Sequence, residues 1–353
     1  MTVRKRMHHG GDIYGKQIEL DYSVNLRPLG IPGEVLRSVQ KAADRYGTYP
    51  DPAQTAVRRC IAETEGVGAD CVLAGNGASE LILAVVRAIG PGSAWLFEPA
   101  YGGYEYALSA AGCGIRHVIT ESGTIDPDVC EETGERPDVV FVCDPSNPMG
   151  RNEKEGILRD FLDRMQETGT RVILDESFYL MSDRAGDPAA RWRGRLIEEY
   201  DHLYLLRSMT KILAAPGIRM GVLLSSPENI AEVKRKLPEW NLSVTAEEAI
   251  KAGYGLLADP AFIGRDLAVI RRERAFLMRE LSALDLLVCE SNAPYLCFRG
   301  PDGLGDSLLN RGILIRDCSD YYGLEKGTWR IAVKDHGSNV RFCQIVREVL
   351  RSV

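Results

Sequence analysis

The chain has no Cys-x-x-Cys pair, no set of cysteines and histidines at ligand spacing, no internal repeat, no Ser/Gly-rich or Pro-rich divider and no long block of Lys and Arg. Nine cysteines scattered singly read as reduced, mostly buried thiols, so neither a metal nor a disulfide framework is expected. With no basic block and a formal charge of -7, the expected partner is a small molecule, not nucleic acid or an acidic membrane surface. Residues 1–10 carry basic side chains with no apolar stretch after them. They therefore read as neither signal peptide nor anchor, and the protein is expected to be cytoplasmic. The lack of a divider implies that two domains, if 353 residues form two, pack closely.

At 45% hydrophobic the chain can bury a large core. Short apolar runs alternate with longer amphipathic stretches, which predicts an α/β fold: a large domain with a mostly parallel sheet flanked by helices. Strands are expected at 71–73, 94–97, 139–143, 171–174, 203–206 and 222–224. Helices are expected at 79–89, 154–167, 227–236, 246–257 and 266–283. From about 286 the pattern returns to strands, at 295–298, 313–316 and 328–333, with Gly-rich turns and a helix near 303–310. That predicts a small α+β C-terminal domain. The expected boundaries are 1–30 for an N-terminal arm too irregular to fold alone, 31–283 for the large domain and 284–353 for the small one.

Open α/β sheets place ligands beyond their strand ends, and that is where the reactive residue types fall. Ser208-Met209-Thr210-Lys211 follows a buried run, with Arg219-Met220-Gly221 close behind. A lysine desolvated there loses its proton readily, and a neutral amine condenses with an aldehyde. Ser208 and Arg219 would meet a phosphate, although a lone Ser-x-x-Lys is more often a surface loop. Gly75-Asn76-Gly77-Ala78-Ser79 opens an apolar helix, and free N–H groups at a helix start bind anions. Asp175 ends a buried run; it reads either as a turn former or as a carboxylate that keeps a pyridine nitrogen protonated. Asn147, in Asp144-Pro145-Ser146-Asn147-Pro148, and Tyr101, in Glu98-Pro99-Ala100-Tyr101, read alone as a turn and a core aromatic.

The order of these segments resembles the fold-type I pyridoxal-5'-phosphate (PLP) enzymes, the aspartate aminotransferase superfamily, over nearly the whole chain. The resemblance implies that Lys211 carries the cofactor as a Schiff base and that Asp175 pairs with its ring nitrogen. Asn147 would bond the ring oxygen and Tyr101 would stack on the ring, while Gly77, Ala78, Ser79, Ser208 and Arg219 hold the phosphate. Tyr49, in Tyr46-Gly47-Thr48-Tyr49-Pro50, matches a tyrosine lent to the neighbouring subunit's phosphate site, which implies a homodimer with shared active sites.

A narrower resemblance lies at the chain's two ends. His9-Gly10-Gly11-Asp12, Asp21-Tyr22-Ser23-Val24-Asn25, Gly312-Ile313-Leu314-Ile315-Arg316 and Trp329-Arg330-Ile331-Ala332 are similar to segments of the threonine-phosphate decarboxylases of cobalamin biosynthesis. It implies that His9, Asn25, Arg316 and Arg330 line a pocket for a small phosphorylated amino acid, decarboxylated to an amine. Planar guanidinium groups suit both of its anions. The pattern departs from that family at Asp12 and Arg27, where asparagines are usual, at Met149, and across 240–245. Arg27 is expected near the substrate, as an added phosphate ligand or a change of substrate. Histidinol-phosphate aminotransferases are the next resemblance, but their pattern puts Tyr three residues after the ring-pairing Asp, where this chain has Phe178. A third reading, a non-catalytic regulator that binds PLP or an amino acid, would usually bring a DNA-binding module, for which no basic segment exists here.

Overall fold

Val139–Cys143 is buried at every position, the pattern of a parallel strand covered on both faces. The computed structural model describes residues 10–128, 135–187 and 193–351. Its strands are β1 (Leu20–Asp21), β2 (Val72–Gly75), β3 (Ser93–Glu98), β4 (Gly114–Ile119), β5 (Val139–Cys143), β6 (Arg171–Asp175), β7 (Leu203–Ser208), β8 (Gly221–Leu224), β9 (Leu287–Val288), β10 (Tyr295–Arg299), β11 (Ile313–Leu314), β12 (Arg316–Asp317) and β13 (Thr328–Ala332).

Strands β2 to β8 form one seven-stranded sheet in the order β2-β8-β7-β6-β5-β3-β4. Neighbours from β7 to β4 run parallel, and β8 runs against both of its neighbours. Because side chains alternate across a strand, Val140, Val142, Val172 and Leu174 enter one core, shared with helices Thr55–Glu65, Glu155–Thr168 and Val244–Leu257. Phe141, Ile173 and Leu206 enter another, shared with helices Ala78–Ile89, Gly103–Ala110 and Pro227–Lys234. The sheet is therefore a middle layer between helices, and the chain belongs to the α/β class.

A four-stranded antiparallel sheet, β12-β13-β10-β9, builds the C-terminal part, packed with helix His336–Arg351 around Leu296, Phe298, Trp329, Ile331 and Phe342. Helix Pro260–Ser282 enters both regions. Phe262, Ile263, Leu267 and Ile270 lie in the large core, whereas Leu277 and Leu281 lie in the small one. The arm joins the small region through β1, which pairs in parallel with β11. Tyr22 stacks on Phe342, with ring centroids 4.4 Å apart.

Some elements differ from the sequence expectation. The stretch 313–316 is two strands, β11 beside β1 and β12 beside β13, because the chain leaves one sheet for another at Ile315. The long helix begins at Pro260, not 266, with the Asp259 side chain accepting from the Ala261 N–H, a proline-and-aspartate start. Strand β4 lacked an apolar signal because it is an edge strand with only Val118 buried. No helix among the described residues is long and apolar enough to cross a membrane.

Candidate active site

The C-terminal ends of β3, β5, β6 and β7 and the start of β8 meet the arm and β12–β13 around a cavity of about 200 Å³. Asp175, the last residue of β6, is buried at its floor. Its Oδ2 accepts from the Tyr104 hydroxyl at 2.6 Å and its Oδ1 from the Ser177 backbone N–H at 2.8 Å. Burial raises the Asp175 pKa, and these hydrogen bonds oppose that rise. Such donors favour the carboxylate form.

Lys211 stands one turn beyond β7. Burial, followed by the nearby Arg330 and Arg219 charges, lowers its pKa to about 8, with Asp175 acting in the opposite sense. Lowering the pKa makes the neutral, nucleophilic amine far more accessible than on an exposed lysine. The Phe178 ring centroid lies 5.9 Å from Lys211 Nζ.

Across the cavity, helix Ala78–Ile89 starts with no side-chain cap, leaving its first N–H groups and the positive end of its dipole for an anion. Gly77 precedes it at φ 83. A Cβ there would come within 2.5 Å of the Arg219 guanidinium, and one on Gly221 within 2.5 to 2.8 Å of the Gly77–Ala78 backbone. Glycine at both places lets Arg219 lie on the helix start. Arg219 itself sits at φ 63, a left-handed conformation costing about 1 kcal/mol. Ser208 Oγ shares a 2.6 Å hydrogen bond with Thr210, and Tyr101 meets Tyr104 edge-on at 5.4 Å. Anion cradle, buried carboxylate and depressed lysine together could hold a phosphorylated aromatic aldehyde. No cluster of His, Cys, Asp or Glu among the described residues could hold a metal.

On the opposite wall Arg316 and Arg330 are register partners in β12 and β13, so their side chains share one face. Each is 6% exposed. Arg330 donates to the Asn147 side-chain oxygen and, at 2.9 Å, to the Ser23 carbonyl. Arg316 donates to both Asp320 carboxylate oxygens at 2.9 Å and to the Asp317 carbonyl. Asn25 Oδ1 and Arg330 Nε are buried with no hydrogen-bond partner, and such atoms normally find one. A bound ligand would supply it.

Of the residues singled out from sequence, Asn25, Ala78, Ser79, Tyr101, Asn147, Asp175, Ser208, Lys211, Arg219, Arg316 and Arg330 line this cavity. Gly77 lies just behind, under Arg219. Tyr49 does not join them: it is 80% exposed, with its ring 4.9 Å from that of Trp240. His9 falls outside the described residues, although Gly10 lines the cavity. Arg27 corrects the expectation of a guanidinium at the substrate. It turns away into a paired contact with Asp266, at 2.5 and 2.8 Å, and lies 4.9 Å from the Phe262 ring, because Asp266 is buried and needs a cation. Asp12 is a surface residue paired with Lys16 at 2.7 Å. Four further wall residues, Tyr104, Ser177, Thr210 and Tyr321, were not anticipated. Asp-x-Ser is a turn signal that could have pointed to Ser177; Tyr321 has no local signal.

Residues 17–346 match the family model Aminotransferase class I and II. The chain is similar to threonine-phosphate decarboxylase of Salmonella typhimurium, 32% identical over 95% of this chain and 92% of that protein. It is also similar to histidinol-phosphate aminotransferase of Methanosphaera stadtmanae, 24% identical over 93% and 89%. Among solved structures, histidinol-phosphate aminotransferase from Sinorhizobium meliloti in complex with pyridoxal-5'-phosphate covers 95% of this chain and 91% of its own, at 20% identity and a TM-score of 0.86. That last likeness is one of fold.

Proposed function

The chain belongs to the aminotransferase class I and II family of PLP-dependent enzymes, and from that premise we propose that it decarboxylates L-threonine O-3-phosphate to 1-amino-2-propanol phosphate, a carboxy-lyase step of cobalamin biosynthesis. The observation that carries this reading is the pair of buried guanidinium groups, Arg316 and Arg330, on the wall of the cavity that also holds Lys211. Two anions on one small amino acid need two such groups.

Bound PLP supplies an aldehyde for an amine and a ring that accepts the electrons released at the α-carbon. The uncapped start of helix Ala78–Ile89, with Ser208 and Arg219, would hold its phosphate, and Asp175 would face its ring nitrogen. Burial and the two arginines keep Lys211 Nζ close to losing its proton, so it is the residue that would hold the aldehyde until a substrate amine replaces it. Arg330 and Arg316 would grip the substrate's carboxylate and phosphate and so fix which bond at the α-carbon is presented for cleavage. With the bond to the carboxylate presented, carbon dioxide would depart and Lys211 Nζ would be placed to return a proton to the same carbon. Phe178 offers no hydroxyl to the cofactor's ring oxygen, which leaves that contact to Asn147.

Within the same reading the enzyme is a cytoplasmic homodimer with shared active sites, acting on a small phosphorylated amino acid and on neither nucleic acid nor membrane. The exposed Tyr49 supports this, since a tyrosine lent to a neighbour must stand clear of its own cavity. The eight described cysteines, all free thiols, suit a reducing compartment.

The test is to incubate PLP-loaded protein with L-threonine O-3-phosphate in the absence of any keto acid and to follow carbon dioxide and amine release. Sustained turnover supports the decarboxylase. No turnover, with conversion of the cofactor to its amine form by histidinol phosphate or glutamate, would make the enzyme an aminotransferase.

A further inference from the structure

The two arginines differ in what already occupies them. Arg330 is held by neutral acceptors, the Asn147 side-chain oxygen and the Ser23 carbonyl, and keeps its full charge for a ligand. Arg316 is already engaged by a carboxylate, both oxygens of Asp320 lying 2.9 Å from Nη2. Any anion that takes Arg316 must displace or outweigh Asp320. A substrate carboxylate would exchange one carboxylate for another of the same charge and geometry, with little gain. A phosphate dianion brings twice the charge and more acceptor oxygens, so the exchange favours it. Asp320 has somewhere to go, since its side chain is 22% exposed. The Tyr321 ring, 5.2 Å from the guanidinium carbon, flanks Arg316 throughout.

Resting on the phosphorylated-substrate reading above, we propose that Asp320 is a specificity-determining residue: an internal competitor for Arg316 that admits a phosphate dianion and turns away dicarboxylic amino acids. Specificity of this kind is a difference of two affinities, set by an element that works against the wrong ligand. The substrate carboxylate is thereby left to Arg330 and the phosphate to Arg316.

The experiment is calorimetric titration of PLP-loaded protein, at a pH above the phosphonate's second ionisation, with glutarate and with 4-phosphonobutyrate, which has the same three-carbon spacing. Both lack an amine and cannot react. Wild type should bind the phosphonate more tightly than glutarate. Asp320→Asn should bind glutarate more tightly than wild type does and shrink the preference by roughly fivefold, the worth of a partly exposed ion pair. Asp320→Glu, which restores the competing charge, should restore the preference. Weaker binding of both ligands by Asp320→Asn would show that Asp320 only orients Arg316, and an unchanged preference would equally overturn the proposal. If neither ligand binds wild type, the two-anion reading falls with it. The predicted shift in a protein that fails to decarboxylate would leave Asp320's role standing and remove only the reaction.

Discussion

The backbone N–H of Arg27 donates to the carbonyl oxygen of Lys211 at 3.1 Å, so the arm that carries Asn25 is fastened to the turn that carries Lys211. The Arg27 side chain continues the attachment by pairing with Asp266, their side chains 9% and 1% exposed. Removing one partner of such a buried pair leaves the other charge uncompensated, at a cost of about 3 to 5 kcal/mol. Arg27→Ala and Asp266→Asn should each lower the melting temperature and raise KM more than they lower kcat. The double replacement should cost less than the two single effects added. Additive losses in thermal unfolding would show that the two residues act separately.

Lys211→Ala should abolish turnover and the reducible visible absorbance of the bound cofactor; a reducible band that survives would move the attachment to another residue.

Because the Lys211 pKa is lowered from 10.5 to about 8, PLP uptake by the apo protein should accelerate with rising pH around a midpoint near 8. The sign of the stability effect follows by linkage. Below about 8 the folded apo protein carries the full cost of a buried ammonium, and that cost fades as the pH rises toward 10.5, where the unfolded chain also loses its proton. Stopped-flow absorbance gives the uptake rate. A midpoint near 10 would mean that Lys211 is not desolvated.

Tyr104 donates to Asp175 at 2.6 Å, and a hydrogen bond to a charged group is worth about 1.5 to 3 kcal/mol. Tyr104→Phe should therefore reduce kcat/KM by roughly tenfold or more, with a shift in the pH dependence of the cofactor spectrum. Normal kinetics and spectra would show that the Ser177 N–H suffices to hold the carboxylate.

Gly221→Ala places a methyl group against the Gly77–Ala78 backbone, which must move to accept it. Equilibrium dialysis should show markedly weaker PLP binding with most of the fold's stability retained. Unaltered affinity would mean that the helix start does not hold the cofactor phosphate.

The positions of Lys211 and Asp175 beyond buried runs were legible in the sequence, but each alone also read as a surface loop or a turn, and only the order of the segments, by resemblance, singled them out. Arg316 and Arg330 stood out by resemblance, but only the register of β12 and β13 makes them neighbours. Arg27 was misread because its partner, Asp266, is 239 positions away; no local pattern reports a buried carboxylate at that distance. Tyr104 was not singled out, since its contact is with a strand that begins 67 residues after it and ends at Asp175. Ile315 shows the same limit at the level of the fold. A continuous apolar run suggested one strand, and the choice between two sheets rests on the arm arriving to pair with Ile313–Leu314.

The arm is pinned at both ends, at Tyr22 by its stacking on Phe342 and at Arg27 by Asp266 and the Lys211 carbonyl. Five peptide units separate the two pins, and a fully drawn-out chain of that length reaches roughly 17 Å. The segment is thus a leash of fixed length between the C-terminal sheet and the lysine turn. Any swing of one relative to the other is bounded by that span, and Asn25, which lines the cavity, lies within it.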